Sequence, residues 1–512
     1  MQSKENFKQL INASYPQDKS IFLGASIYNN EVLIESKIQI PLKTLNRHGL
    51  IAGATGTGKT VSLQLLAESL CKNGVPVLLM DLKGDLAGLS KEGSLNSKAA
   101  ERNKSLGLDF NPTKNTVEFL SLSAKPGVRL RATVSEFGPV LFSKILDLNE
   151  TQSSLVAMLF KYADDNHLLL LDLQDFKQLL QHSLQEGKQA LQQAYGNVSS
   201  ASISTILRKI IELESQGADQ FFGERSFDVL DLVRKDSNGH GIASILSLAD
   251  IQDKPKLFST FMLCLLAEIY STFPEEGDLE KPKLCLFIDE AHLLFKNASD
   301  ELLDQIESIV KLIRSKGVGI FFVTQNPNDI PDGVLAQLGL KIQHALRAFT
   351  EKDRKAIKKT SENFPITDYY NTADLLTNLG IGQAFVSALN EKGIPTPLVA
   401  VQLKAPESHI GVITEKEVTE ILGASGLVNK YNQVINRESA YEILSKKISV
   451  PILEKEVVQE KQTKHVKEEP SVIEAVSNNP LMRQIGRTVA RELTRGLLGA
   501  FGIKTSKRKG LF

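Results

Sequence analysis

Apolar positions along the chain fall into two kinds of pattern. Short unbroken runs at Leu50-Ile51-Ala52, Val75–Met80, Gly241–Leu248, Leu284–Ile288, Ile320–Val323 and Leu398–Leu403 read as strands covered on both faces, and Ile342–Phe349 is strand-like. Between them the spacing turns helical: Leu63, Leu66 and Leu70 follow the first run, and Leu302, Leu303, Ile306, Ile309, Val310 and Ile313 follow the fourth, stopped by Gly317. Strand alternating with helix predicts an α/β fold with a mostly parallel sheet flanked by helices. The long stretch between Asp85 and Leu284 is helical at Leu155–Ala163, Asp175–Tyr195 and Ile203–Gln216, which predicts a mostly helical insertion over 100–240. Within it, Asn149-Glu150-Thr151-Gln152 is the stretch that stands out. Ile21–Ile40 has the pattern of two or three pairing strands.

Beyond about residue 430 the pattern dissolves into mixed charge, as in a linker or a solvated helix, with Glu454 through Glu469 carrying no aromatic residue. The last segment differs. Leu481, Ile485, Val489, Leu493 and Leu497 recur every four residues, with Arg483, Arg487, Arg491 and Arg495 two positions away, the pattern of a basic amphipathic helix. Such a helix either binds anionic lipid, nucleic acid or a partner groove, or docks on the protein's own body. The expected organisation is a short segment 1–45, a first core part 46–99, the insertion 100–240, a second core part 241–405 and an extension 406–512.

Length and charge narrow the class. At 512 residues the chain exceeds a single core, and 60 basic against 60 acidic residues leave no bulk attraction to nucleic acid, so any basic surface is local. Cys71, Cys264 and Cys285 lie far apart in apolar stretches, which excludes a disulfide scaffold and points to a reducing compartment. The N-terminus has no secretory pattern, and the longest apolar run, Phe258–Ile269, is broken by Glu268 and falls short of the roughly 18 residues of a membrane span. The expectation is a cytoplasmic protein unless the tail anchors it.

Candidate chemistry begins at Gly53-Ala54-Thr55-Gly56-Thr57-Gly58-Lys59-Thr60, followed by Val61, between a strand and a helix. Glycines let backbone N–H groups converge on phosphate oxygens; Lys59 can then reach the β- and γ-phosphates of ATP, and the Thr60 hydroxyl can ligate Mg2+. A second strand ends in Asp81-Leu82-Lys83-Gly84-Asp85, whose acids are either accessory groups near metal or water or a polar turn. Leu284–Ile288 ends in Asp289-Glu290, the Walker B form: Asp289 would hold Mg2+ and Glu290 would polarise the attacking water. His292 completes Asp-Glu-Ala-His, but no arginine-rich second-motor motif follows, so it reads as a helix-start residue. Gln325, at the end of the next apolar run, is placed to sense the γ-phosphate or to cap the following loop.

Taken in order, GATGTGKT, MDLKGDL, LFIDEAH and FFVTQNP resemble the HerA/FtsK division of RecA-like motor ATPases. The longer strings GPVLFSKILDLNETQ, STFPEEGDLEKPKLCLFIDEAHLLF, QLGLKIQHALRAFTEKD and LGIGQAFVSALNEKGIPTP are similar to the YjgR-like group of HerA-type ATPases. The resemblance implies a RecA-like P-loop NTPase core, ATP hydrolysis with Mg2+ at subunit interfaces, a ring-shaped homo-oligomer, a hexamer in such families, and DNA translocation. It also implies an arginine acting from the neighbouring subunit, for which Arg47, just before the Walker A strand, is the first choice, and Arg314 and Arg347 are further ones. Such a group accelerates phosphoryl transfer by roughly three to five decades. One departure is that only a short segment precedes Arg47, too little for the β-barrel of HerA proper. The competing reading is an ATP-dependent switch or scaffold acting on a protein or membrane partner without nucleic acid.

Overall fold

The computed structural model describes residues 3–448 apart from 16–17, 124, 250, 252–253, 278, 296–299, 434 and 436. The first compact unit runs to Tyr441 and is the one described below. The charged stretch Glu454–Glu469 and the basic amphipathic helix expected near the C-terminus lie outside the described residues, whereas Tyr431 and Ala440, within the stretch expected to be a linker or solvated helix from about residue 430, are buried.

Among the described residues twelve strands form one sheet. They are β1 (Ser20–Tyr28), β2 (Glu31–Pro41), β3 (Gly49–Ala52), β4 (Val77–Asp81), β5 (Val117–Ser121), β6 (Val128–Arg129), β7 (Ala243–Ser247), β8 (Leu284–Ile288), β9 (Val318–Thr324), β10 (Leu340–Gln343), β11 (Gln383–Ser387) and β12 (Val399–Leu403). Their order across the sheet is β2-β1-β12-β11-β10-β3-β9-β8-β4-β7-β5-β6. From β10 to β6 all neighbours run parallel. β11, β12, β1 and β2 extend the sheet with antiparallel pairings. β4, β8 and β9 are buried along their whole length, which is why each is an unbroken apolar run. β2, at the edge, instead alternates, burying Leu33, Ile38 and Ile40 and exposing Glu31, Glu35 and Lys37.

The segment before Arg47 therefore joins the main sheet rather than making a separate barrel. Its hairpin turns at Asn29-Asn30, with φ of +47° and +64°, the left-handed pair that a two-residue turn between twisted strands requires. Ahead of it stands α1 (Lys4–Ser14), with Phe7 stacked on Tyr28.

The helices are α2 (Lys59–Lys72), which packs on β1, β3 and β4, α3 (Lys98–Ser105), and a block of α4 (Val134–Ile145), α5 (Glu150–Asp165), α6 (Leu173–Leu184), α7 (Lys188–Tyr195) and α8 (Ser200–Ser215) that pack on one another. Phe142, Phe160 and Phe176 meet at the centre of this block, and Phe137, Phe221 and Phe222 continue the cluster. Three expectations are corrected or explained here. The stretch 100–240, expected to be mostly helical, also sends β5 and β6 into the sheet. The run Asp175–Tyr195 is two helices, broken where Gly187 N–H closes on the His182 carbonyl (2.9 Å) and the Gly187 backbone packs on the His182 ring. Asn149 with Gln152 is the capping box of α5, a folding signal.

After β7 come α9 (Pro255–Thr272), α10 (His292–Phe295) and α11 (Asp300–Ile313). α9 carries the longest apolar run, and among the described residues no helix is long and apolar enough to cross a membrane. Because β3, β9, β8 and β4 are parallel neighbours, with Ala52 opposite Thr324, Phe322 opposite Ile288, and Ile288 opposite Met80, the loops at their carboxyl ends converge on one edge.

Candidate nucleotide site

β3 ends at Ala52, and Gly53–Gly58 loops into the N-terminus of α2. Gly58 has φ of +113°, in the region open to glycine, and a Cβ at Gly53 would stand 2.5 Å from the His344 Cβ. The loop is held from the β10 side. His344 N–H donates to the Ala52 carbonyl (2.7 Å), Ala54 N–H to the Ala345 carbonyl (2.8 Å), and Gly382 N–H to the Thr57 carbonyl (3.1 Å). The Thr57 hydroxyl closes the turn on the Ala54 carbonyl (2.7 Å), while Thr55 and Gly56 face solvent and Thr60 and Val61 are half-buried. Lys59 Nζ donates to the carbonyls of Gly53 (2.7 Å) and Ala54 (3.3 Å), and burial pushes its pKa down. An ammonium folded onto its own loop in this way has an anion's place in reach.

Asp289 and Glu290 leave the end of β8. Asp289 is 5% exposed; its Oδ1 accepts Glu290 N–H (2.9 Å), and its Oδ2 is buried with no partner. Burial, then the neighbouring Glu290 charge, pushes the Asp289 carboxyl up to about 6. A buried carboxylate oxygen without a donor suits a hard oxygen-seeking cation such as Mg2+, for which the Thr60 hydroxyl at the start of α2 is the second candidate ligand. Glu290 takes a left-handed φ of +47°, and its carboxylate meets side chains from three loops. Lys83 Nζ lies 3.1 Å from Oε1, Gln325 Nε2 3.4 and 3.5 Å from the two oxygens, and His292 Nδ1 3.4 Å from Oε2. The Thr55 hydroxyl reaches Gln325 Oε1 at 3.4 Å, so the loops after β3, β4, β8 and β9 are joined through side chains. His292 does open α10, as expected, and also touches Glu290.

Asp81 is buried and accepts the N–H groups of Lys83 (3.1 Å), Gly84 (2.7 Å) and Leu86 (3.0 Å). Of its two open readings, the turn is the one these contacts carry, since both oxygens are engaged by backbone. Asp85 Oδ1 is buried without a partner and burial raises its carboxyl's pKa, which keeps it among the accessory acids.

The arginines separate. Arg47 ends the turn before β3, and Arg314 follows α11; both line a cavity of about 480 Å3 with His48, Lys311, Lys341 and Asn363. This cavity lies at the amino ends of the strands. The four residues of β3, at ~3.3 Å each, put about 13 Å between Arg47 and the P-loop of the same chain. Arg347 corrects the strand-like reading of Ile342–Phe349: β10 stops at Gln343, whose chain then bonds to the P-loop, and Arg347 is exposed on the loop beyond. Sequence reasoning missed two residues. Lys83 stood inside the acidic motif but its partner is far along the chain, and nothing local marked His344.

The helicase HerA-like C-terminal family matches residues 28–471. The DNA double-strand break repair helicase HerA of Sulfolobus acidocaldarius is 22% identical over 371 residues, 68% of this chain and 64% of that protein. The chain therefore spans just under two thirds of that relative. The HerA helicase of Saccharolobus solfataricus is 23% identical over 391 residues, 75% of this chain and 69% of its own length. In fold the chain is similar to the plasmid coupling protein TrwB in complex with a non-hydrolysable ATP analogue, with a TM-score of 0.51 at 16% identity over 80% of this chain and 94% of TrwB. With the P-loop, the acids of β8 and the parallel sheet between them in place, and with a match over most of its length, the chain belongs to the helicase HerA-like C-terminal family.

Proposed function

We propose that the protein is an ATP-hydrolysing motor that moves along double-stranded DNA as a ring of identical subunits. The observation that carries the hydrolytic part is the bare Asp289 Oδ2 beside Glu290, at the carboxyl end of β8, with only β9 between it and the P-loop strand β3. Lys59 exchanges the carbonyls of Gly53 and Ala54 for the β- and γ-phosphates, and Thr60 and Asp289 would hold Mg2+. When bound, that ion draws charge from the phosphate oxygens. Glu290 orients the attacking water and takes its proton as the water oxygen bonds to the γ-phosphorus and the bond to the ADP oxygen breaks. Gln325, already between Thr55 and Glu290, is placed to bond the γ-phosphate and so distinguish ATP from ADP.

The arginines support an assembly of several copies. Arg47 and Arg314 share a cavity remote from their own P-loop, so a role at a phosphate requires a second copy. The helical block α4–α8 serves either as a lid, a neighbour-subunit contact or a substrate-guiding surface, or as a stabilising elaboration of the core. DNA as the track is supported by the two archaeal relatives, which are named as DNA helicases.

Steady-state ATP hydrolysis with and without long double-stranded DNA, over a salt series and beside Glu290→Gln, tests the reading. DNA should stimulate turnover, the stimulation should fade with salt, and Glu290→Gln should lose roughly two to four decades while still binding ATP. Glu290-dependent turnover indifferent to DNA would replace the motor with the partner-operated switch.

A further inference from the structure

We propose that Lys83 is a brake on Glu290: it holds the carboxylate in an ion pair that must open before Glu290 can bond the attacking water, and DNA phosphates open it. The inference rests on Glu290 being the residue that orients that water.

Lys83 and Glu290 leave the ends of adjacent parallel strands, with Met80 opposite Ile288. The Lys83 backbone is held firmly, because the Asp81 carboxylate accepts N–H from Lys83, Gly84 and Leu86, and Gly84 turns with φ of +80°. The side chain is thus presented towards β8 by a loop that Asp81 fixes from within the same chain. Its Nζ lies 3.1 Å from Glu290 Oε1, whereas Gln325 and His292 stand at 3.4 Å or more. The shortest contact to this carboxylate is therefore the ion pair. A water bonded to Glu290 competes with these partners, and of the three the ammonium holds the carboxylate most strongly.

The two ends of the pair differ in exposure. The Glu290 side chain is 5% exposed and the Lys83 side chain 47%. Glu290 has nowhere to go, while Lys83 can swing into solvent towards a competing anion. A phosphodiester at that open side would take the ammonium and leave Glu290 to the water, which couples turnover to occupancy by DNA. Neutralising a buried acid for folding alone predicts a different outcome: removing Lys83 would destabilise the chain without speeding it.

The test measures kcat and KM for ATP with and without long double-stranded DNA for the full chain and for Lys83→Met, Lys83→Gln and Lys83→Arg, with melting temperatures alongside. Lys83→Met, or Lys83→Gln should the first fail to fold, should raise DNA-free kcat severalfold at little-changed KM, and its stimulation by DNA should fall towards one. Lys83→Arg should keep the wild-type pattern, and Lys83→Met in a Glu290→Gln background should stay as slow as Glu290→Gln alone. Unchanged or lower DNA-free kcat, or undiminished stimulation by DNA, overturns the brake. If Glu290→Gln is itself fully active, the reading of Glu290 has failed and the brake falls with it; if Glu290→Gln is inactive and Lys83→Met is no faster, the brake alone fails.

Discussion

At Asp289 chemistry and stability pull in opposite directions. Its carboxyl is pushed up to about 6 from an ordinary 3.8, so the fold resists the ionised form that a metal needs. The sign follows from linkage. Above about pH 6 the buried charge subtracts stability, on the order of 3 kcal/mol, and the loss disappears as pH falls through 6 towards the ordinary value. Asp289→Asn should therefore melt higher than the wild type at pH 8 in the absence of nucleotide, by a margin that shrinks towards pH 5, while Mg2+-dependent ATP turnover is lost. Scanning calorimetry across that range checks it, and a lower melting temperature at pH 8 would contradict the account. Residues of this kind were legible singly: the P-loop glycines and the Asp-Glu pair announce themselves because their chemistry depends on adjacent positions. Their partners were not, since Lys83 and Glu290 are 207 positions apart and meet only because β4 and β8 are neighbours.

Among the elements, α2 does more than begin at the P-loop. Its Glu68 is buried and accepts the N–H groups of Glu407 (2.9 Å) and Ser408 (2.9 Å) and the Ser408 hydroxyl (2.7 Å), while Gln64 Nε2 donates to the Ser408 hydroxyl and the His409 carbonyl, both at 2.8 Å. The phosphate-binding helix is thereby tied to the segment leaving β12. Glu68→Ala strands two buried backbone donors and should cost about 3 kcal/mol in urea unfolding, with weaker ATP binding; Glu68→Gln, which keeps an acceptor oxygen, should cost less. Equal losses for both would argue that the charge, not the acceptor, holds the clamp. The apolar runs anticipated β3, β4, β7, β8, β9 and β12 because strands buried on both faces must be apolar throughout. β5 and β6 escaped notice inside a region otherwise helical, and the break between α6 and α7 depends on Gly187 packing against a ring, which no periodicity encodes.

For the whole molecule the decisive feature is polarity: phosphate chemistry at the carboxyl ends of the parallel strands, and a cationic cavity with Arg47 and Arg314 at their amino ends. If these arginines act across subunits, Arg47→Ala should lower turnover by roughly three decades or more, and Lys59→Ala should abolish it. Mixing the two inactive proteins should then restore partial turnover, because an intact P-loop on one copy faces an intact Arg47 on the next. Turnover of mixtures against mixing ratio, with assembly mass from light scattering, checks it; no rescue in mixtures shown to co-assemble would place Arg47 outside the site.

By itself the sequence determined what is local: the strand-loop-helix that cradles phosphate, the acids and amide at strand ends, and through its longer strings the family. Each depends on spacing within a few residues, where backbone geometry leaves little choice. Tertiary structure alone decided strand order, and with it everything that lies between strands. It put the chain before Arg47 and the chain after Gly382 side by side in one antiparallel extension, although β1 and β12 stand at opposite ends of the unit. It left one Asp289 oxygen bare, set Lys83 against Glu290, and moved Arg47 and Arg314 away from their own P-loop. Long crossovers constrain such pairings only through the packing of the complete core, so the physics that selects them is spread over the whole chain.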